Sequence, residues 1–259
     1  MVIRFFYRRA NGIPILSRNE IETIAQSILT DYKPGIEIEP AAVDIEHLAE
    51  AYFDLQMDYQ DLSHNRSILG MTVFADCSVP VYDGKKDEAK HIWVQEGTIL
   101  IDNSLLKDDQ IQRGRFTVGH EVGHWVLHGC YYAPHRGQLP VLTNWKQPVV
   151  RCRRADIGFQ RRILKTDDDW LEWQADSLSS ALLMPKDAFI RAALNKFKEV
   201  GLATEYYVRG ADADLDIWLD FLARKLAHLF EVSVQATRIR LENLGLIREK
   251  EIEVGLLWA

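Results

Sequence analysis

In the first part of the chain, apolar residues recur at a helical spacing and then at a strand-like spacing. After Ser17, the segment NEIETIAQSILTDY places isoleucine or leucine every three or four residues, which predicts a capped helix. A second short amphipathic helix is predicted over residues 43–53. Between residues 69 and 105, the segments MTVFA, HIWVQ and GTILIDNSL are rich in β-branched and aromatic residues and are separated by polar turns. This order predicts a small, mainly antiparallel sheet packed against helices.

The second part of the chain is mainly helical in pattern. A long helix is predicted to begin at Asp108 or Asp109, and another to begin at Thr166 or Asp167 and to end at a proline. The stretch 130–165 between them is less regular and contains three prolines. The end of the chain carries the amphipathic segment LDIWLDFLARKLAHLF and then a short helix capped by Ser233.

We therefore predict an α+β fold in which helices pack on the sheet. Residues 1–185 form the predicted core, with an insertion at about 130–165. Residues 186–259 form a predicted helical C-terminal region, helix-turn-helix-like in pattern, that packs on the core.

Composition narrows the class of protein. The chain has 259 residues, 47% of them hydrophobic, which is enough to bury a sizeable core. Its 31 basic and 38 acidic residues leave a net charge of −7, which gives no overall attraction to nucleic acid or anionic lipid. No apolar run is long enough to span a bilayer, and no signal peptide is evident. The three cysteines are scattered, so we expect reduced thiols and a cytoplasmic protein without membrane attachment.

The stretch RFTVGHEVGHWVLHG contains a His-Glu-x-x-His motif at His120, Glu121 and His124. Two histidines four residues apart on a helix lie about one turn apart on one face, so both imidazoles can reach one ion. A glutamate beside the first histidine is placed to take a proton from water at that ion. The motif predicts part of a catalytic zinc site, and the third protein ligand has to come from elsewhere in the chain.

The opposite face of this helix is predicted to be buried. Gly119 and Gly123 are four residues apart and would allow a neighbouring element to approach closely. The helix is expected to present its imidazoles on one side and to bury four residues on the other: Val118, Val122, Trp125 and Val126.

Several residues compete for the third ligand position. His128 continues the four-residue spacing, but it lies about 12 Å from His120 along a straight helix. One ion cannot readily take both, so His128 is interpreted as a packing or hydrogen-bonding residue. Glu172 is the better candidate, because it lies on a predicted helix with Asp176 one turn later on the same face. That pair could supply a metal ligand and a carboxylate that orients a ligating histidine.

Three segments in order, RFTVGHEVGHWVLH, E-x-x-A-D and SSALLMP, resemble the ImmA/IrrE family of metallo-endopeptidases. The resemblance implies a gluzincin with a minimal thermolysin-like, zincin core. It implies that His120, His124 and Glu172 bind one Zn²⁺ per chain, that Glu121 is the catalytic base, and that Asp176 is an outer carboxylate.

The resemblance also implies a substrate and a way of holding it. The substrate would be a helix-turn-helix repressor of the XRE type, cleaved to release genes of a mobile element or a stress response. In zincins an edge strand precedes the site helix and pairs with an extended peptide. We expect the strand at residues 98–105 to do so, with four residues in contact with the substrate: Thr98, Ile99, Leu100 and Ile101.

The alternative function is that of a DNA-binding transcriptional regulator with a zinc-sensing or structural site. VSVQATRIRLENLGLI resembles the second helix of a helix-turn-helix, and VVRCRRADIGFQRRILK carries six basic residues. The apolar residues of the first segment can equally belong to the core, and the basic residues of the second can equally lie in a solvated loop. A structural zinc site usually has four protein ligands, and the negative net charge opposes DNA contact, so direct DNA binding is not expected.

Overall fold

The structure is a computed structural model, and it describes residues 13–132, 148–153 and 164–249. Its architecture is α+β, as predicted. The N-terminal helix α1 (Arg18–Tyr32) begins at Ser17, which forms a capping box with Glu20. The predicted second helix is a short helix α2 (Ile45–His47) that continues as one π-helical turn, Leu48–Tyr52.

The strands of the first half form a four-stranded sheet and a separate hairpin. The sheet contains β1 (Gln56–Gln60), β2 (Ile68–Val73), β5 (Thr98–Asp102) and β6 (Val149–Arg153) in the order β1-β5-β2-β6. The pair β1–β5 is parallel, and the other two pairs are antiparallel. Strands β3 (Cys77–Asp83) and β4 (Glu88–Val94) form the hairpin. Sequence patterns predicted β2, β4 and β5, but not β1, β3 or β6.

The position of β5 corrects one expectation. Strand β5 pairs with β1 on one side and with β2 on the other, and all five of its residues are buried. Its backbone groups are therefore used inside the sheet, and Thr98, Ile99, Leu100 and Ile101 cannot pair with a substrate as an edge strand. The continuous apolar run TILI reflects burial on both faces of an interior strand.

The long site helix is α3 (Ile111–Tyr132), preceded by two short 3₁₀ turns over Asn103–Leu106 and Asp108–Gln110. Helix α4 (Asp167–Leu183) begins at Thr166, which forms a capping box with Asp169. It is followed by α5 (Lys186–Glu199), which the sequence analysis did not predict.

The C-terminal region contains α6 (Ala213–Phe230) and α7 (Val234–Asn243), together with a short parallel pair of strands, β7 (Tyr207–Arg209) and β8 (Ile247–Glu249). Ser233 caps α7, as predicted. One apolar core runs from α1 through the sheet to α6 and α7.

Helix α7 is tied to the core by a buried ion pair. The Arg240 side chain donates to the Met184 carbonyl and pairs with Glu22, and Arg240 is 2% exposed. One face of the helix-turn-helix-like segment is thus buried. Most of the basic segment 149–165, at residues 154–163, lies outside the described residues.

Among the described helices, none combines the length and the apolar character that crossing a membrane requires.

Candidate metal centre and its surroundings

Two helices meet at the His-Glu-x-x-His motif because small residues line their contact. A Cβ atom added at Gly123 would lie 2.9 Å from the Cα and carbonyl oxygen of Ala175, and one added at Gly119 would lie 2.6 Å from the Ser179 hydroxyl oxygen. The two glycines therefore let a neighbouring element approach α3 closely, as predicted, and that element is α4. Ser179 strengthens the contact by donating a 3.0 Å hydrogen bond to the Phe116 carbonyl.

This close approach brings together the three residues predicted as metal ligands. The Nε2 atoms of His120 and His124 are 2.9 Å apart, and they lie 3.3 and 3.4 Å from the two carboxylate oxygens of Glu172. Zinc bonds of about 2.0–2.2 Å in a tetrahedron would place ligand atoms roughly 3.3–3.6 Å apart. Both histidine–glutamate distances fall near this range, whereas the histidine–histidine distance is shorter. The three donors, two imidazoles and one carboxylate, have the chemistry to hold one metal ion and lie within reach of a common point.

The face of α3 that carries the histidines is not open, contrary to expectation. His120, Glu121 and His124 are each 0% exposed, while the Glu172 side chain is 13% exposed. Val118 and Val122 on the other face are buried as predicted, and Trp125 and Val126 are half-buried. The site helix is therefore covered on both faces, by α4 on one part and by the sheet on another.

Glu121 lies against strand β2. The Thr72 hydroxyl donates a 2.6 Å hydrogen bond to Oε2 of Glu121, and a side chain at Gly70 would overlap Oε1. Oε1 is buried and has no hydrogen-bond partner among the described residues. Burial raises the pKa of Glu121 to about 7, although His120 and the Thr72 hydrogen bond act in the opposite direction. Such a carboxyl group can exchange a proton near neutral pH.

Each predicted histidine ligand has an outer partner. Nδ1 of His120 is 2.8 Å from the Asp176 carboxylate, the position predicted for this residue. Nδ1 of His124 is 2.9 Å from Nδ1 of His128, whose Nε2 is 3.1 Å from Oε1 of Gln174. His128 is therefore a buried hydrogen-bonding residue, as the sequence analysis interpreted it.

Gln174 completes this second chain of contacts, because its amide group donates a 2.8 Å bond to the Pro14 carbonyl. If Nε2 of His124 is an acceptor, then Nδ1 donates to His128, and His128 donates from Nε2 to Gln174. Every group in the chain then has a consistent role, and the tautomer of His124 leaves Nε2 free to bind a metal ion. No sequence motif marks Gln174 or Thr72, and neither was predicted as a site residue.

Glu172 is held as a carboxylate. Burial acts to raise its pKa, but contacts with His120 and His124 outweigh burial and lower that pKa well below its usual value.

A third side chain approaches the motif from β6. The thiol of Cys152 is buried, and it lies with donor atoms of His120 and Glu121 in a group whose members are all within 4.8 Å of one another. Burial raises the pKa of the Cys152 thiol to about 12, and His120 partly opposes this.

Comparison with known proteins bears on the second half of the site. The family model described as the IrrE N-terminal-like domain of peptidase family M78 matches residues 150–242. The resemblance to the ImmA/IrrE family is confirmed. The matched segment contains Glu172 and Asp176 but not the His-Glu-x-x-His motif, which lies before it, and the match supports a metallopeptidase. None of the curated proteins compared with the chain matches it.

Proposed function

We propose that the protein is a zinc-dependent endopeptidase of the gluzincin type, in which His120, His124 and Glu172 bind one Zn²⁺. The observation that carries the proposal is the convergence of two imidazoles and one carboxylate within 3.4 Å, beside a buried Glu121 that is not part of that group. Three protein ligands are typical of catalytic zinc sites, whereas structural sites are usually closed by four.

When bound, zinc supplies Lewis acidity, which polarises a substrate carbonyl and lowers the pKa of water from about 15.7 towards about 7. Glu121 accepts a proton from the attacking water and delivers it to the amine nitrogen as the peptide C–N bond breaks. Burial of Glu121 acts to raise the pKa of its carboxyl group, which favours its acting first as a base and then as an acid.

The surrounding residues hold these groups in place. Thr72 fixes one carboxylate oxygen of Glu121, and the other oxygen has no hydrogen-bond partner among the described residues. Asp176 and His128 each contact the Nδ1 atom of one histidine ligand, which directs its Nε2 atom towards Glu172. Outer contacts of this kind set the tautomer and increase the basicity of a metal ligand.

The proposed substrate is a helix-turn-helix repressor of the XRE type, whose cleavage relieves repression. This part of the proposal is supported by the family resemblance alone. A repressor is a DNA-bound intracellular protein, so the proposed site of action is the cytoplasm.

The proposal is tested by incubating the purified chain with a panel of XRE-type repressors and unrelated control proteins, with mass spectrometry to detect new termini. We expect cleavage at defined peptide bonds of a repressor, loss of cleavage after chelation, and recovery with zinc. The Glu172→Ala variant should not recover cleavage when the same total amount of zinc is added. Cleavage that persists in fully chelated protein would refute the zinc mechanism, and cleavage of control proteins alone would refute the substrate class.

A further inference from the structure

The outer face of helix α6 carries two apolar side chains next to each other. The inner face of this helix is buried in the core through Leu219, Leu222 and Leu226. On the outer face, Ile217 is 74% exposed, and Phe221, one turn later, is 52% exposed. An amphipathic helix normally has polar residues on its outer face, and single exposed apolar residues need no explanation. Two on neighbouring turns of one face form a small apolar surface.

The two ends of this surface carry opposite charges. Asp214 lies about one turn before Ile217, Arg224 lies about one turn after Phe221, and both charged residues are exposed. At 100° per residue, the four side chains fall within a sector of about 80° on the helix surface, and we call them the α6 patch. Neither Asp214 nor Arg224 has an ion-pair partner among the described residues. The Lys225 ammonium, 5.1 Å from the centroid of the Phe221 ring, adds positive charge at the same end as Arg224.

The α6 patch is complementary to itself. Ile217 and Phe221 each lie about 3 Å along the axis from the level of residue 219, and Asp214 and Arg224 each lie about 7.5 Å from it. An antiparallel helix of the same sequence would therefore set Ile217 against Phe221 of the other copy. It would also set Asp214 against Arg224 of the other copy, and a two-fold axis makes each contact twice. The helix dipole already favours acidic residues first and basic residues last, so the complementarity rests on the equal spacing about the apolar pair.

We propose that the α6 patch is the interface of a homodimer, in which the α6 helices of two copies pack antiparallel about a two-fold axis. The proposal is independent of the proposed function. Like charges do not meet at the axis, because Asp220, the charged residue nearest to it, forms a 2.8 Å ion pair with Arg238 of its own chain. The apolar area is small, so the interface belongs to the weak class below about 1,200 Å². The dimer should therefore dissociate with a constant on the order of 100 μM.

Sedimentation equilibrium of the purified chain from about 5 to about 500 μM tests for the dimer. The average mass should rise with concentration from 29.8 kDa towards twice that value. Ile217→Gln and Phe221→Gln should each weaken the dimer about tenfold, because each removes an apolar contact that is made twice. Trp93→Gln is the matched control, because Trp93 is 70% exposed but lies on β4, and it should leave the dimer unchanged. A chain that stays monomeric throughout, or a dimer weakened equally by all three changes, would overturn the proposal.

Charge reversal tests the antiparallel arrangement. Asp214→Arg and Arg224→Asp should each weaken the dimer about tenfold, because each places like charges at both symmetric contacts. The double variant should restore the dimer, because each reversed charge again meets an opposite charge on the other copy. Both positions are exposed, so every variant should stay folded, which circular dichroism checks. A folded double variant that remains as weak as the single variants would overturn the arrangement, and so would parent assemblies that grow beyond a dimer.

Discussion

Replacing Gly123 with alanine should separate α3 from α4 and weaken the metal centre. The new Cβ would lie 2.9 Å from both the Cα and the carbonyl oxygen of Ala175, and 3.3 Å from its carbonyl carbon. Ordinary van der Waals contact begins near 3.4 Å. These are backbone atoms, so no side-chain rotation can relieve the overlap, and the helices must move apart by several tenths of an ångström.

The size of the effect follows from two opposing terms. Overpacking of this kind costs about 1–3 kcal/mol, whereas alanine in place of glycine inside a helix stabilises by up to about 1 kcal/mol. Gly129→Ala is the matched control, because Gly129 lies on the same helix and, apart from that helix's own backbone and its chain neighbours, no atom of the described residues lies within 4 Å of the position that its Cβ would take. The difference between the two variants removes most of the helix-propensity term. We expect Gly123→Ala to be less stable than Gly129→Ala by about 1–3 kcal/mol.

Denaturant unfolding of the two variants measures this difference, and metal retention under mild chelation measures its consequence at the site. Glu172 lies on α4 less than one turn before Ala175, so displacement of α4 should carry its carboxylate away from the histidines. Gly123→Ala should therefore lose zinc at a lower chelator concentration than Gly129→Ala. Equal stability and equal zinc retention in the two variants would show that the close approach of the helices does not position Glu172.

Three further predictions concern residues around the metal. Glu172→Ala should lower zinc affinity far more than His128→Ala, because it removes a ligand rather than an outer partner; equal retention after chelation would mean that another residue is the third ligand. Asp176→Ala should lower metal affinity or activity by about 10–100-fold, as measured by zinc titration and rate, and a complete loss of binding would contradict its outer position. Thr72→Val removes a hydrogen bond that lowers the pKa of Glu121, so the acid limb of the plot of kcat/KM against pH should move to higher pH. In the parent this limb is expected at or below about pH 7, because a bound cation also lowers the pKa of Glu121. An unchanged limb, or one that moves to lower pH, would contradict this role of Thr72.

The sequence predicted the features that depend on local pattern. Three helix N-termini were predicted from their capping residues, Ser17, Thr166 and Ser233. Each capping side chain forms its hydrogen bond with a residue three positions later, so the signal is local in the sequence. The close approach of a neighbouring element to α3 was predicted from the spacing of Gly119 and Gly123, because a missing side chain is visible in the sequence itself, but only the structure identifies that element as α4.

Features that depend on sheet order could not be read from the pattern. The run TILI of β5 is equally compatible with an edge strand and an interior strand, and only pairing with both β1 and β2 decides between them. The same holds for β6, which lies in an irregular stretch and forms by pairing with β2.

Site residues that come from distant segments of the chain could not be predicted from the sequence either. Thr72 and Gln174 have no motif that marks them, and they reach Glu121 and His128 through tertiary contacts only. Cys152 appeared in the sequence as one of three scattered thiols, and its proximity to His120 emerges only from the register of β6 on β2.

The central claim is that Glu121 performs proton transfer at a metal held by other residues. The most direct test compares the parent chain with Glu121→Gln at equal zinc content. Zinc is measured by elemental analysis, and new termini in a repressor substrate by mass spectrometry. We predict about one zinc per chain in both proteins, and cleavage only by the parent, in which Glu121 is present. Equal cleavage by the Glu121→Gln chains, or their failure to bind zinc, would contradict the account.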